Sequence, residues 1–517
     1  MVVGMDLGNG YCKMAVISVT GNAVIVTNSR SENVTPSVIF WDGSKWLVGA
    51  EALNALLAEP DKGVGAGVGF KRHMGTDTAL FKDSGGKVLY ARDMARIILE
   101  HLRAECEKAL GEPVNEVIIS VPANYDDRQK AETLTAAAEA GLKVLKLVHE
   151  PTAALFGAEA HKKGDGGVAI VDIGCGTSDI SYGMKSGNNF SIMVTNGDPR
   201  LGGLDYDARI QDLVLKRFEE KHGFRPDPDK HAQAFADIRA RIEGWKVSLS
   251  TRDSVAVTVS AANKVFTTTI TRGEFEAVTK DLTDRVVELT AKTIKEAGIE
   301  VGQLREFILA GGGAQVPAIG EALEKRFGRK PAVVGSPALA IAKGAALMGR
   351  LFLEESGQTV RVGKVALPPL NLHSRDVTGK DYGVAVLAGE APQPICSVLL
   401  HKGVPIPSDN TRRYHLARDG QTECLLQVLS GPDNAPIEQC LSLGQAELTG
   451  LPAVSGEPHN IEVRFKIDNN GMLTATAYDP RCGKSAKVEI HYDASKAPSP
   501  GDGAGQVPAP VGANTGA

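Results

Sequence analysis

The chain has 517 residues, more than one typical domain needs, so two to four domains are expected. It is 43% hydrophobic and 23% charged, as soluble globular proteins are, and its net charge of -5 argues against a dedicated nucleic-acid-binding protein. Seven dispersed cysteines without a CxxC pair indicate reduced thiols in the cytoplasm, and no ligand spacing predicts structural zinc. The sequence predicts neither a leader peptide nor a membrane span.

The first element is the stretch MDLGNGYCK, in which an apolar run ends at Asp6 and a second run follows Lys13. With Gly8 and Gly10 between them, this order predicts a strand, a tight turn and another strand. Glycines let the backbone approach an anion closely and direct N–H groups at it. An aspartate beside a phosphate requires a cation such as Mg²⁺ between the two. The turn is therefore a candidate phosphate-binding turn.

Strand-like and helix-like segments then alternate to about residue 355. Residues 92–110 carry apolar side chains at helical spacing, and residues 116–121 form a short apolar run closed by proline. This alternation predicts an α/β architecture.

The opening pattern recurs around Asp172, with Gly174 and Gly176 at the same offsets and Thr177 as an added hydroxyl. Two matched hairpins suggest duplicated halves that face each other. Neither turn is GxxxxGK[ST] or GxGxxG, but the matched pair favours a nucleotide site over two ordinary hairpins. A third cluster, Gly311–Gly313, suits a backbone pressed against a flat ligand such as adenosine.

The pattern changes near residue 357. Residues 358–376 contain two prolines and no clear period, which predicts a linker. Residues 377–493 read as strands and turns, with an Asn470-Gly471 turn between alternating runs that predicts a hairpin. Residues 494–517 are rich in proline, glycine and alanine and are expected to be disordered.

Together, these stretches resemble the DnaK-type (seventy-kilodalton heat-shock) chaperones of the actin-like ATPase superfamily. The motifs that carry the resemblance are FKRHMG (70–75), VIISVPANYDDRQ (117–129), HEPTAA (149–154), VDIGCGTSDIS (171–181), NGDPRLGGLDYD (196–207), IEGWKVSLS (242–250), ILAGGGAQVPAIG (308–320), IPSDNTRRYHLARDGQTECLLQVLSG (406–431), SLGQAELTGLP (442–452) and IEVRFKIDNNGMLTATAYD (461–479). The resemblance implies a two-lobed, duplicated ribonuclease-H-like ATPase domain over residues 1–357, followed by an all-β peptide-binding sandwich over 377–493, in a divergent member without a helical lid.

The resemblance also implies residue roles. The catalytic residues implied are Lys71, Glu150, Asp172 and Thr177, around the γ-phosphate and the attacking water. The nucleotide-binding residues implied are Asp6, Gly8, Asn9, Gly10, Lys13, Gly174, Gly176, Gly202, Gly203, Glu243, Lys246, Ser250, Gly312 and Gly313. The peptide-binding residues implied are Val384, Leu387, Tyr414, Ala417, Cys424, Leu426 and Ile461. Asp6 and Asp172 are the expected Mg²⁺ residues, acting through water.

The implied function is that of a slow ATPase using ATP/ADP and Mg²⁺, which binds extended apolar segments of unfolded polypeptides in stress response. A J-domain co-chaperone and a nucleotide-exchange factor are implied partners, with no nucleic acid or membrane. A peptide-binding or scaffolding protein with weak or uncoupled turnover is the alternative. An actin-like filament former or a sugar kinase fits less well, because neither needs a peptide-binding sandwich.

Several positions depart from the family pattern. Asn9 and Gly10 replace two threonines, while Lys13 matches the actin-like branch, where a lysine touches the β- and γ-phosphates. Gln315 replaces an arginine that packs on adenine, which predicts weaker ATP binding. Leu372-His373-Ser374-Arg375 stands where the family has an apolar linker, and this more polar version predicts weaker coupling between the two sites. Without a lid, peptide release is expected to be fast.

Overall fold

The computed structural model describes residues 2–59, 62–82, 86, 88–159, 164–333, 336–387, 393–488, 490 and 511–512. The chain divides into two compact units. The first contains residues 1–124 and 132–374, and the second contains residues 125–131 and 375–517. The division at residues 374 and 375 falls inside the segment predicted as a linker. Among the described residues, no helix combines the length and apolar composition needed to cross a membrane.

The described helices all precede residue 356. They are α1 (Ala50–Ala58), α2 (Ala91–Leu110), α3 (Asp127–Glu139), α4 (Glu150–Gly157), α5 (Gly203–His222), α6 (Ala232–Thr251), α7 (Arg272–Val278), α8 (Lys280–Glu296), α9 (Pro317–Phe327) and α10 (Ala340–Glu355).

Twenty described strands alternate with these helices or directly follow the last one. They are β1 (Val2–Asp6), β2 (Tyr11–Ile17), β3 (Ala23–Val26), β4 (Thr35–Pro36), β5 (Ile39–Trp41), β6 (Trp46–Val48), β7 (Gly63–Val64), β8 (Phe81–Lys82), β9 (Val88–Leu89), β10 (Glu116–Val121), β11 (Lys143–His149), β12 (Gly166–Ile173), β13 (Ser178–Ser186), β14 (Asn189–Asp198), β15 (Ser254–Ala261), β16 (Lys264–Thr271), β17 (Leu304–Ala310), β18 (Ala332–Val333), β19 (Arg361–Val362) and β20 (Val365–Ala366). The α/β pattern predicted for this part is confirmed.

Two sheets of the first unit share one topology. One sheet has the order β11-β10-β1-β2-β3, and the other contains the run β18-β17-β12-β13-β14. In each, an antiparallel hairpin (β1 with β2, β12 with β13) adjoins a parallel strand, β10 or β17. The apolar runs are buried, as strands covered on both faces are. The shared topology agrees with the internal repeat, and the two-lobed arrangement stays a prediction.

Helix α10 lies in close backbone contact with α4 and β1, because glycines stand at the points of contact. A Cβ on Gly344 would lie 1.7 Å from the Ala153 backbone oxygen of α4, and one on Gly4 would lie 2.2 Å from the Ala346 nitrogen. Glycine at both positions lets α10 pack directly against α4 and β1. The start of α4, which carries Glu150, is thereby positioned against the strand that ends at Asp6.

The predicted linker, residues 358–376, is not featureless. It contains the hairpin of β19 and β20, whose register pairs Arg361 with Ala366. Its later part is tied to α10, because the Leu370 N–H donates to Glu354 at 2.8 Å and Arg350 donates to the Pro368 carbonyl. Each strand of this hairpin has only two residues, which are too few to show an alternating pattern in the sequence.

Apart from residues 125–131, the second unit contains the strands that begin with β21, whose first two residues still belong to the first unit. They are β21 (His373–Val377), β22 (Tyr382–Leu387), β23 (Ile395–Leu400), β24 (Pro405–Ile406), β25 (Ser408–Leu416), β26 (Glu423–Ser430), β27 (Leu441–Thr449), β28 (Asn460–Ile467), β29 (Leu473–Tyr478), β30 (Ser485–Val488) and β31 (Val511–Gly512). The hairpin predicted at Asn470-Gly471 is confirmed, since β28 and β29 pair there and Gly471 has φ of 72°.

Alternating side chains of these strands form one apolar core. Val463, Phe465 and Ile467 of β28 are buried, while Arg464 and Lys466 face outward. This is the period of two that the sequence predicts. Of residues 494–517, predicted to be disordered, the structure describes only Val511–Gly512, which form a strand.

Candidate functional site

The first unit contains a cavity of about 780 Å³ at the ends of the two matched hairpins. Seventeen predicted residues line it: Asp6, Gly8, Asn9, Gly10, Lys13, Lys71, Glu150, Asp172, Gly174, Gly176, Thr177, Gly203, Glu243, Lys246, Ser250, Gly312 and Gly313. Gly202 is not part of the lining, but it packs against the Gly176 backbone, where its missing Cβ would lie 2.6 Å away. Residues that are far apart in sequence thus meet around one cavity.

In the first hairpin, the strand register places Asp6 opposite Lys13. Their side chains form an ion pair, with Lys13 Nζ 2.8 Å from Asp6 Oδ2. The other oxygen of Asp6 accepts from Ser120 at 3.3 Å. Burial alone would lower the pKa of Lys13, but the adjacent Asp6 carboxylate raises it above its ordinary value. The acid of this hairpin is therefore neutralised by its own partner strand.

In the second hairpin, the same register places Asp172 opposite Asp179. Burial, followed by the charge of Glu150, raises the pKa of Asp179 to about 8. Burial and the charges of Glu150 and Asp179 hold the pKa of Asp172 well above its usual range. Oδ1 of each aspartate is buried without a hydrogen-bond partner in the part of the chain the structure describes. Two adjacent acids with unused oxygens require a proton or a cation.

Lys71 and Glu150 meet at the cavity wall. Lys71 lies on a short 3₁₀ turn, Phe70–His73, and Glu150 is the first residue of α4. Lys71 Nζ donates to Glu150 Oε1 at 2.5 Å, and both residues are more than nine-tenths buried. The Lys71 backbone N–H donates to Asn9 Oδ1 at 2.8 Å, which connects this turn to the first hairpin. Burial raises the pKa of Glu150, and Lys71 opposes that effect.

The two glycine turns approach each other closely. A Cβ on Gly176 would lie 2.3 Å from Asn9 Nδ2, and one on Gly10 would lie 2.9 Å from Cys175 Sγ. Any larger residue at either position would separate the turns. Arg72 joins them to α5, since it donates to the Gly176 carbonyl at 2.9 Å and pairs with an aspartate there.

The far side of the cavity is formed by α6, on which Glu243, Lys246 and Ser250 share one face. Lys246 Nζ lies 2.8 Å from an Asp207 carboxylate oxygen and donates to the Gly203 carbonyl at 3.1 Å. Glu243 Oε2 accepts from the Tyr11 hydroxyl at 2.8 Å. The first hairpin and α6 are thus hydrogen-bonded across the cavity.

Tyr11 and Asp207 were missed by the sequence reasoning. Tyr11 stands five residues after Asp6, as Thr177 stands five after Asp172, so the internal repeat marked the position without its role. Burial and the charge of Glu243 raise the pKa of the Tyr11 hydroxyl, which keeps it a donor. Asp207, which lies in α5, ends the motif at residues 196–207, and that motif was the signal that could have found it.

The third glycine cluster closes the cavity beside the second hairpin. Gly311 has φ of 75°, and a Cβ there would lie 2.5 Å from Asp172 Oδ1. Gly312 begins a 3₁₀ turn that ends at Gln315, and both residues line the cavity. A glycine at 311 therefore keeps space open beside an aspartate oxygen that has no partner.

These residues fit a magnesium–nucleotide group. Mg²⁺ takes oxygen ligands, usually a few carboxylates and several waters. Asp172, with its unpartnered oxygen, and Asp6 both line the cavity, while Asp179 stands opposite Asp172 in the strand register. The glycine turns offer backbone N–H groups to phosphates.

The predicted peptide-binding residues lie in the second unit. Five of them belong to the apolar core and are at most 1% exposed: Val384, Tyr414, Cys424, Leu426 and Ile461. Leu387, at the end of β22, and Ala417, just beyond β25, are half-buried. The structure therefore places five of the predicted residues in the core and two at or just beyond strand ends. The role of all seven in peptide binding stays a prediction.

An α/β unit with two glycine turns at one cavity, followed by a β unit, is consistent with the class of actin-like ATPases joined to a β domain. A family model described as Hsp70 protein matches residues 2–500, most of the 517-residue chain. The chain belongs to the Hsp70 family. The resemblance found in the sequence is confirmed, and with it the general function of that family: ATP-dependent chaperones that use Mg²⁺, bind unfolded polypeptides and work with co-chaperones.

Proposed function

We propose that this chain hydrolyses ATP slowly at the cavity of the first unit and binds extended apolar polypeptide segments at the β unit. The observation that carries the proposal is the convergence of both glycine turns, the Lys71–Glu150 pair and the unpartnered Asp172 oxygen on one cavity. Hydrolysis of a phosphoanhydride requires mainly positioning and charge stabilisation, which this set can supply.

The bound magnesium would neutralise the phosphates beside Asp172 and Asp6. Lys71 would hold the terminal phosphoryl group through its ammonium, and Glu150 would orient the attacking water through its second oxygen. Thr177 would donate its hydroxyl near the same group. ATP binding is proposed to be weaker, because Gln315 lacks the planar cation that would stack on adenine.

Lys13 is proposed to change partner when nucleotide binds. Its ammonium is engaged by Asp6 at 2.8 Å and also lines the cavity. A β- or γ-phosphate in the cavity would offer it a second anion. Lys13 would then supply the charge that Asn9 and Gly10 cannot.

The second candidate is a peptide-binding protein whose turnover is uncoupled from peptide release. It is favoured by the polar residues His373, Ser374 and Arg375, which leave only Leu372 of this segment as apolar surface for docking. For the same reason, we expect J-domain stimulation to be weak. A role in the stress response and a cytoplasmic location are further proposals from the sequence.

The test is the off-rate of a labelled leucine-rich peptide with ADP, with ATP, and in Lys71→Ala. Release that ATP accelerates in the wild type and not in Lys71→Ala supports the chaperone cycle. Identical rates throughout support the uncoupled protein. Lys264→Ala, at an exposed lysine of β16, is the matched control, and Lys71→Met tests whether loss of the charge rather than misfolding causes the effect.

A further inference from the structure

The β unit contains two strand ends that leave backbone groups available. Strand β22 pairs with β23 from Tyr382 to Val386 on one edge, and with β26 only from Tyr382 to Val384 on the other. Beyond Val384 the pairing with β26 stops, although β26 itself extends to Glu423. N–H and C=O groups on such an edge are a template for another strand.

Strand β25 has a similar edge. Residues Ser408–His415 pair with β28 on one side. On the other side, the described strand that pairs with His415 and Leu416 is β31 and not β26. These two edges, at Val386–Leu387 and at His415–Leu416, form what is called here the β22–β25 gap.

Val511–Gly512 fill the β22–β25 gap. Val511 pairs with Val386 and Gly512 with Leu387 in parallel, and the same two residues pair with Leu416 and His415 in antiparallel register. The strand order becomes β27-β26-β22-β31-β25-β28-β29-β30, so that this segment joins two groups of strands. Backbone pairing of this kind accepts many sequences, because it uses main-chain groups.

We infer that the resident occupant of the β22–β25 gap is the C-terminal segment of this same chain around Val511–Gly512. The inference rests on the proposed peptide-binding function, since external polypeptides would compete for the same edges. Leu387 and Ala417, the two half-buried residues of the predicted peptide site, adjoin this gap.

Chain length allows the segment to reach the gap in the same molecule. Twenty residues separate Ile490 from Val511, enough to extend about 70 Å. Their composition is rich in proline, glycine and alanine, as in a flexible linker. A tethered segment has an effective concentration on the order of millimolar, so even weak pairing would keep the gap largely filled.

The sequence of the segment suits an occupant that can be displaced. From residue 494 to the end, the only large apolar residues are Val507 and Val511, set among alanine, glycine and proline. A leucine-rich peptide offers more apolar area to bury and would win the competition at sufficient concentration. The segment would thus raise the threshold for binding and exclude weakly apolar peptides.

The experiment compares the full chain with a chain ending at Gly505. Binding of a labelled leucine-rich peptide is measured by anisotropy, and amide hydrogen exchange is measured at residues 386–387 and 415–416. The truncated chain is expected to bind at least 5-fold more tightly, to lose amide protection at both edges, and to be inhibited by a synthetic peptide of residues 506–517. Gly512→Pro, which removes one backbone donor, should behave like the truncated chain, while Gly516→Pro is the matched control and should behave like the full chain.

The outcomes separate the two proposals. Equal peptide affinity and unchanged amide protection on truncation would overturn the tail inference and leave peptide binding standing. Absence of peptide binding in both chains would overturn the proposed peptide site, while exchange still reports whether the segment occupies the gap. Equal effects of Gly512→Pro and Gly516→Pro on peptide binding would overturn occupancy by the same molecule. So would a loss of peptide affinity in the full chain that grows as the concentration of that chain is raised.

Discussion

The two hairpins at the cavity have the same register and differ in the residue opposite their aspartate. Asp6 faces Lys13, and Asp172 faces Asp179, with a spacing of seven residues in both. The first hairpin therefore carries its own counter-charge, whereas the second holds two acids with unpartnered oxygens. We propose that the demand for a cation falls on the second hairpin, because the same register places a lysine opposite Asp6 and an aspartate opposite Asp172.

The largest expected effect is on turnover, from Asp172→Asn. Its free oxygen is the one best placed to receive a hydrated cation, so kcat is expected to fall about 100-fold or more. Asp6→Asn should cost less, because Asp6 is engaged by Lys13. Steady-state ATP hydrolysis at saturating magnesium measures both. Asp253→Asn, whose side chain is 99% exposed, is the control, and equal losses for Asp6 and Asp172 would contradict the division of roles.

The next effect is on stability, from Lys13→Ala. Asp6 is only 2% exposed, and removing its partner leaves a buried charge that typically costs about 3–5 kcal/mol. Urea unfolding of the nucleotide-free protein should show this loss. The double variant Lys13→Ala/Asp6→Asn should regain most of it, because no charge is then left unpaired. A double variant as unstable as the single one would indicate that packing, and not charge, explains the result.

The third effect is on pH dependence, from Asp179→Asn. The folded-state pKa of Asp179 is about 8, while an aspartate in the unfolded chain titrates near ~4. Between these values the folded state binds the extra proton, so wild-type stability declines as pH rises from about 4 to 8 and levels off above. The decline is limited to about 1.4 kcal/mol per pH unit.

Asn at position 179 removes this contribution, so the variant is expected to gain stability relative to the wild type as pH rises through that window. Melting temperatures at pH 5, 7 and 9 without nucleotide or divalent cation measure the difference. Asp253→Asn again serves as the control. Parallel curves for the wild type and Asp179→Asn would be evidence against a shared, protonated acid pair.

The smallest effect is expected from Tyr11→Phe. This change removes the hydrogen bond to Glu243 across the cavity, worth about 0.5–1.5 kcal/mol. ADP dissociation should become roughly 2- to 10-fold faster, as stopped-flow release of a fluorescent analogue would show. Tyr90→Phe, at a 40% exposed tyrosine outside the cavity, is the control. An unchanged off-rate would mean that the bond does not restrain the cavity.

The sequence by itself determined the local elements and the repeat. Glycine spacing after Asp6 and Asp172 predicted both turns, and the period of two in β28 predicted its buried face. These features depend on residues close together in the chain, where backbone sterics and alternation act directly. Motif resemblance also brought together distant residues such as Lys71 and Glu150, although it could not specify their hydrogen bond.

Only the tertiary structure decided what each charged group meets. Strand register set Lys13 against Asp6 and Asp179 against Asp172, and burial then shifted their pKa values. The Tyr11–Glu243 bond joins residues 232 positions apart, and the pairing of Val511–Gly512 with β22 and β25 also spans distant segments. Such contacts follow from how sheets and helices pack, because the energy of a buried charge or a free strand edge depends on neighbours that no local pattern encodes.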